Sequence, residues 1–240
     1  LRVIRASGRI TARVIQKLTK VAKAGISTAE IDHLAEELIR KENAIPAFKG
    51  YRGFPASVCT SVNEEIVHGI PGERKLQESD IISIDLGVNL EGYFSDAAVT
   101  LAVGRVGPGV RRLLKVTRDA LLAGIKQAQP DKHLSDISHA VQSLVERNGF
   151  SVVRDFVGHG IGRNLHEEPE IPNFGKPNAG PRLKKGMVLA IEPMVNMGSW
   201  ELEVLGNGWT AVTKDRRPSA HFEHTVAVTE NGPQILTLEG

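Results

Sequence analysis

Cysteine, tryptophan and tyrosine are scarce in this chain: one, two and two among 240 residues. A single cysteine excludes an internal disulfide framework. It suits a reducing compartment, so a cytoplasmic setting is expected. Long apolar runs are missing as well. None approaches the ~18 residues of a membrane span, and the N-terminal segment is charged and amphipathic rather than a basic-then-apolar leader. A charge excess is also missing. Lys+Arg 30 against Asp+Glu 28 leaves +2, too even a balance for a protein whose main partner is nucleic acid or an anionic membrane. The chain opens on Leu1, so a few residues are expected to precede it. Nothing in the sequence demands an oligomer, and a monomer is expected.

What is present is an ordinary globular composition, 41% hydrophobic and 24% charged. The length falls between one and two domains of ~150 residues. Apolar spacing predicts helices over 3–24, from Ser27, and over 110–127 and 135–147. Ser27-Thr28-Ala29-Glu30 reads as a capping box, and behind it Ile31, Leu34, Ala35, Leu38 and Ile39 form one buried stripe. Short apolar runs predict strands over 56–62, 81–90, 93–103, 150–157, 187–195, 201–205, 209–213, 220–228 and 234–238. Residues 161–182 form a Pro/Gly-rich loop of functional length. Two helices followed by strands occur twice, and no linker intervenes. The reading is one α+β domain over 1–240 with lobes of approximately 1–105 and 106–240.

Glycine and proline cluster near histidines and acids, and those clusters carry the chemistry. A turn at Asn89-Leu90-Glu91-Gly92 places Asp85 directly opposite Asp96 on paired strands. Like charges flanked by Ile, Val and Ala call for a positive partner, either a divalent cation or an Arg or Lys. The plainer alternative leaves one aspartate on a solvated face. His159 sits between two glycines at the end of an apolar run. Glu192 lies in the middle of the apolar segment 187–195, and Glu223 is hemmed by histidines. An ionised carboxylate in such a setting must be paired or coordinated. Four acids and one histidine suit hard or borderline divalent ions such as Co, Mn, Fe or Zn, and two ions would balance four negative charges. His68 and His166 lie in turn or loop segments, from which either could donate to a substrate or an oxyanion. His33, His133 and His139 read as ordinary helix-associated histidines.

The ordered segments DLGV, YFSDAAVT, GHGIGRNLHEEP, AIEPM and FEHT, preceded by SVCTSVNEEIVHGIP, resemble the type I methionine aminopeptidases over nearly the whole chain. The 26 residues from His166 to Glu192 leave no room for the helical insertion of the type II enzymes. The resemblance implies the pita-bread fold with its pseudo-twofold symmetry. It implies two divalent ions held by Asp85, Asp96, His159, Glu192 and Glu223, with Asp96 and Glu223 bridging. A bridging hydroxide would attack the first peptide bond. His68 would contact the substrate backbone, His166 would stabilise the tetrahedral intermediate and Glu192 would shuttle a proton. Tyr51, Phe54, Cys59, His68, Leu165 and Trp209 would line the substrate pocket, an apolar and polarizable slot suited to a thioether. Asn63, Glu65 and Ser219 would form a weak monovalent-cation site. Two positions depart from the family pattern: Leu165 stands where Phe is frequent, and Tyr51 with Phe54 replaces a Tyr/Tyr pair.

The implied activity is removal of N-terminal methionine from nascent proteins with a small second residue. The alternatives are an Xaa-Pro peptidase of the same fold and a non-catalytic binding relative. With the first ligand at Asp85, the extra N-terminal domain that Xaa-Pro enzymes generally carry is not expected. A binding relative would usually have lost ligands. The basic stretch Lys214, Arg216, Arg217 reads as a solvated turn, with a transient ribosome contact as the other option.

Overall fold

A computed structural model describes residues 1–239. Four helices, α1 (Arg2–Val21), α2 (Thr28–Lys41), α3 (Pro108–Ile125) and α4 (Leu134–Arg147), come in two pairs. The capping box forms as the sequence predicts: Ser27 accepts from the Glu30 amide, and Glu30 accepts from the Ser27 amide. Helix α1 stops three residues short of expectation, and Gly25 takes φ 97° in the turn that follows.

Each helix pair covers a sheet. Under α1 and α2 the strand Ile81–Leu90 is central. It pairs along one edge with Tyr93–Ala102, and along the other with Ile45–Pro46 and Cys59–Val62 placed end to end. Leu18, Ile31, Ile39, Ile84 and Leu86 fill this interface. Each such side chain contributes roughly 1.5–3 kcal/mol on burial. Ser7 and Thr11 of α1 also bond the Ser95 hydroxyl, at 2.7 and 2.8 Å, so the buried polar atoms are satisfied. Helices α3 and α4 pack by Leu113, Leu121, Ile137 and Val145 against Leu189 and Ile191. The sheet beneath is five-stranded and antiparallel, in the order Gly232–Ile235, His224–Thr229, Val188–Ile191, Gly158–Gly160, Glu167–Ile171.

The two sheets are stitched together. Glu223 N donates to Ala98 O at 2.9 Å, and one hydroxyl, Thr225 Oγ1, accepts from Asp96 N at 2.8 Å and donates to Asp96 O at 2.7 Å. Acidic residues from both halves of the sequence therefore meet at this seam.

Several sequence expectations need correction. The turn between the long strands is the two-residue Glu91-Gly92, with φ 51° and 78°, not a four-residue turn centred one position earlier. Asp85 is therefore opposite Ala98, and Asp96 is opposite Gly87. The expected strand 187–195 is two strands, Val188–Ile191 and Met194–Asn196, broken at Glu192-Pro193. The expected strand 220–228 is broken at Phe222-Glu223. Proline lacks the amide that a continuing ladder needs, which accounts for the first break. Of residues 150–157 only Ser151–Val152 is strand, and the long loop contains the strand Glu167–Ile171.

The glycines around His159 serve the sheet rather than a ligand. A Cβ on Gly158 would lie 2.4 Å from Ala190 O, and one on Gly160 would lie 2.2 Å from Glu168 O. Gly158→Ala is expected to destabilise the protein by about 1–3 kcal/mol, the cost typical of overpacking. Urea unfolding would show this as a lower midpoint at unchanged slope.

Candidate metal centre and substrate cavity

Strand register places the acids. Asp85 and Asp96 lie on one face of their hairpin as diagonal rather than facing neighbours. Glu192 and Glu223 occupy the two strand breaks, where the backbone leaves one sheet for another and the side chain can turn inward. His159 pairs with Ala190 in the five-stranded sheet, two positions before Glu192. Ligand atoms of Asp96, His159 and Glu223 lie within 4.8 Å of one another, and so do those of Glu192, His221 and Glu223.

The electrostatics of this cluster are unfavourable without a cation. Asp85, Asp96 and Glu223 are buried, and Asp85 Oδ1, Asp96 Oδ1 and Glu223 Oε1 have no hydrogen-bond partner. Burial, then the neighbouring carboxylates, pushes Asp85 and Glu223 well above the usual carboxylate range. Burial and then Asp96 do the same to Glu192, and burial raises Asp96 to about 7. No Lys or Arg forms an ion pair with any of them among the described residues. Orphaned oxygens facing one another at this density are what a divalent ion satisfies.

His159 is prepared as a ligand. Its Nδ1 donates to Gly160 O at 2.8 Å, which leaves Nε2 bare and 3.6 Å from Glu192 Oε1. A carbonyl on the far nitrogen is the usual way a protein fixes a ligand imidazole's tautomer.

Beside the acids is a cavity of about 130 Å³. Tyr51, Phe54, Cys59, His68, Leu165 and Trp209 line it, together with His166 and the five expected ligands. Its size is near the ~150 Å³ that accommodates benzene, so it holds one compact side chain. Phe54 meets Trp209 edge-on at 5.1 Å, and Tyr51 stacks on His166 at 5.2 Å. Cys59 pairs with Asp85 in the sheet, and burial raises its thiol well above the ordinary value, so it is an apolar wall and not a nucleophile. His68 takes φ 59°, a strained setting that recurs at functional sites, and packs edge-on against Phe156. Burial holds His68 down at about 4. Burial, with His159 next, holds His166 at about 3. Both rings are neutral at pH 7.

The chain matches Metallopeptidase family M24 over residues 2–230. It belongs to that family. Methionine aminopeptidase 1 of Bacillus subtilis is 55% identical over 237 residues, spanning 99% of this chain and 96% of its own length. A methionine aminopeptidase of Clostridium perfringens is 53% identical over 98% of this chain and 95% of its own. Among solved structures, methionine aminopeptidase from Thermotoga maritima superposes with a TM-score of 0.98 at 46% identity, covering 99% of this chain and 96% of that one. A prolidase from Pyrococcus furiosus reaches 0.81 at 22% identity and is covered over only 64% of its length, a likeness of fold alone. The architecture is the pita-bread fold of the M24 metallopeptidases.

Within this M24 site, three residues escaped the sequence reading. Phe48 and Arg52 line the cavity, and His221 approaches Glu192 Oε2 at 3.5 Å. The HFEHT segment was the signal for His221, but nothing in it distinguishes His221 from His224, whose Nδ1 is 2.9 Å from Thr237 Oγ1. The three residues expected at a monovalent cation come together outside the cavity, with Ser219 N donating to Asn63 O at 2.9 Å. Their side chains are engaged elsewhere: Asn63 with Asp80 and the Ile81 amide, Glu65 with the Val62 amide and Arg74, Ser219 with Asn196. His33, His133 and His139 lie near main-chain carbonyls at the surface. Lys214 pairs with Glu201 and Arg216 with Glu203 across a hairpin. No helix is long and apolar enough to cross a membrane among the described residues.

Proposed function

We propose that the chain removes the N-terminal methionine from peptides and newly made proteins whose second residue is small. The observation that carries this is the adjacency of a one-side-chain apolar cavity to a cluster of unpartnered buried carboxylates. Asp85 would hold one divalent ion, His159 and Glu192 a second, and Asp96 and Glu223 would be shared. Ions held there supply Lewis acidity and lower the pKa of a bound water.

The remaining work falls to the chain's own side chains. Tyr51, Phe54, Cys59, Leu165 and Trp209 receive the thioether. Glu192, flanked by imidazoles at the cavity wall, accepts a proton from the attacking water and returns it to the leaving amine. His166, kept neutral by burial, offers an N–H to the developing oxyanion as a dipole rather than a full charge. His68 contacts the substrate backbone beside the scissile bond. Both lobes, 1–105 and 106–240, serve this one catalytic unit. Co, Mn, Fe and Zn all suit a set of four carboxylates and one imidazole. A weak monovalent-cation site at Asn63, Glu65 and Ser219 would have to rely on main-chain carbonyls, because the side chains are engaged. We place the enzyme in the cytoplasm, where new chains carry their first methionine. We read Lys214, Arg216 and Arg217 as a solvated turn.

The test is competitive. Met-Ala-Ser and an Xaa-Pro peptide are assayed side by side after chelation and reconstitution with each divalent ion. Methionine release is expected to dominate by a large factor. Faster Xaa-Pro cleavage would overturn the reading.

A further inference from the structure

Glu192 lies between two imidazoles. Its Oε1 is 3.6 Å from His159 Nε2, and its Oε2 is 3.5 Å from His221 Nε2. The two rings are not equivalent. His159 spends its Nδ1 proton on Gly160 O and lines the cavity. His221 is 1% exposed, does not line the cavity, and its Nε2 has no hydrogen-bond partner.

The backbone of His221 is clamped. Its N–H donates to Thr100 Oγ1 at 2.8 Å, and Thr100 Oγ1 donates to His221 O at 2.7 Å. Thr100 is itself held by Ser83 Oγ at 2.8 Å. The strand ends at His221, and the chain turns through Phe222 to present Glu223. The ring is thus fixed behind Glu192, on the side away from the substrate.

A neutral imidazole carries one N–H. Placing it on Nε2 satisfies both the orphaned nitrogen and the outer oxygen of Glu192. The 3.5 Å separation is long for a hydrogen bond; a good one needs it shorter by about half an ångström, and such contacts are often loose in unloaded sites.

We infer that His221 is a positioning residue whose Nε2–H holds Oε2 of Glu192, leaving Oε1 directed at the cavity beside His159. This rests on the proposed role of Glu192 as ligand and proton carrier. Outer hydrogen bonds of this kind set the orientation and basicity of a ligand carboxylate.

The experiment compares His221→Gln, which can place an N–H where Nε2 stands, with His221→Met, which has similar bulk and no donor. Each full-length variant is assayed for kcat and KM on Met-Ala-Ser at saturating Mn²⁺, and for Mn²⁺ affinity and stoichiometry by equilibrium dialysis. His221→Met is expected to lose about 10- to 100-fold in kcat and about tenfold in Mn²⁺ affinity, the usual loss for a missing outer partner. KM should stay within about threefold, because methionine binds on the other side of Glu192. His221→Gln should recover most of both losses. An unaffected His221→Met overturns the inference. So does a His221→Gln that binds one ion fewer, which would make His221 a direct ligand. If His221→Met does not fold, Thr100→Val, which keeps the imidazole but removes the clamp that fixes it, decides: weaker Mn²⁺ binding supports the inference and unchanged binding overturns it. A wild-type protein that takes up no Mn²⁺ would instead sink the metal reading beneath it.

Discussion

Glu192→Gln is expected to lower kcat on Met-Ala-Ser by at least ~10²–10⁴, the range for loss of a positioned proton-transfer group. Stripped of divalent ions, the same variant should melt at or above the temperature of the stripped wild type. The two expectations have opposite signs for one reason. Burial and Asp96 push the Glu192 carboxyl well above its ordinary range, so its ionised form is costly in the folded protein. Glutamine keeps the shape and removes the charge, which relieves that cost. It also removes the one carboxylate that, among the described residues, has an imidazole within 4 Å of each oxygen, at 3.6 and 3.5 Å, beside the cavity. Activity on the tripeptide with Mn²⁺, and thermal unfolding after chelation, read both signs. A variant with activity within tenfold of wild type would refute the role of Glu192. A variant that is inactive because it has unfolded would refute the stability argument.

That glutamate was legible because its surroundings are so apolar. VLAIEPMV offers no counter-charge in sequence, so a buried acid there needs an explanation. The aspartate pair was legible for a subtler reason. The turn Glu91-Gly92 has both residues at positive φ, a geometry usually announced by Asn-Gly or Asp-Gly, and glutamate in the first position conceals it. Asn89 Oδ1 accepts from the Gly92 amide at 3.0 Å and supports the turn from outside. The resulting slip changes Asp96's partner from Asp85 to Gly87. Side chains alternate with period two, so a slip of two keeps both aspartates on one face. A slip of one would have separated them, and the inference of a shared site would have failed with it. The break at Phe222-Glu223 had no comparable signal, since no proline or glycine marks it. Phe48 and Arg52 reach the cavity through tertiary folding of a loop, and that information is not in local pattern.

The second large effect concerns the protein stripped of divalent ions. Its stability is expected to fall as pH rises from 5 to 8, the reverse of the behaviour of salt-bridged carboxylates. The sign follows from the direction of the shifts. Asp85, Asp96, Glu192 and Glu223 are all raised in the folded protein, burial being the first cause in each case. Between the unfolded carboxylate range near 4 and the raised folded values, the native state holds protons that the unfolded chain has released. Stability is therefore full below the unfolded pKa and is lost as pH climbs through the folded one. Asp96 alone, moved from 3.8 to about 7, corresponds between pH 5 and 7 to a loss on the order of 3 kcal/mol at ~1.4 kcal/mol per pH unit. For a chain of this size that is a fall in melting temperature on the order of 10 °C. Divalent ions need the same oxygens ionised, so protons and ions compete for them. Adding Mn²⁺ should then raise the melting temperature more at pH 8 than at pH 5. Melting curves at both pH values, with and without Mn²⁺, contain the whole test. A stripped protein that grows more stable toward pH 8 would mean that some other cation, not a divalent ion, already neutralises the cluster.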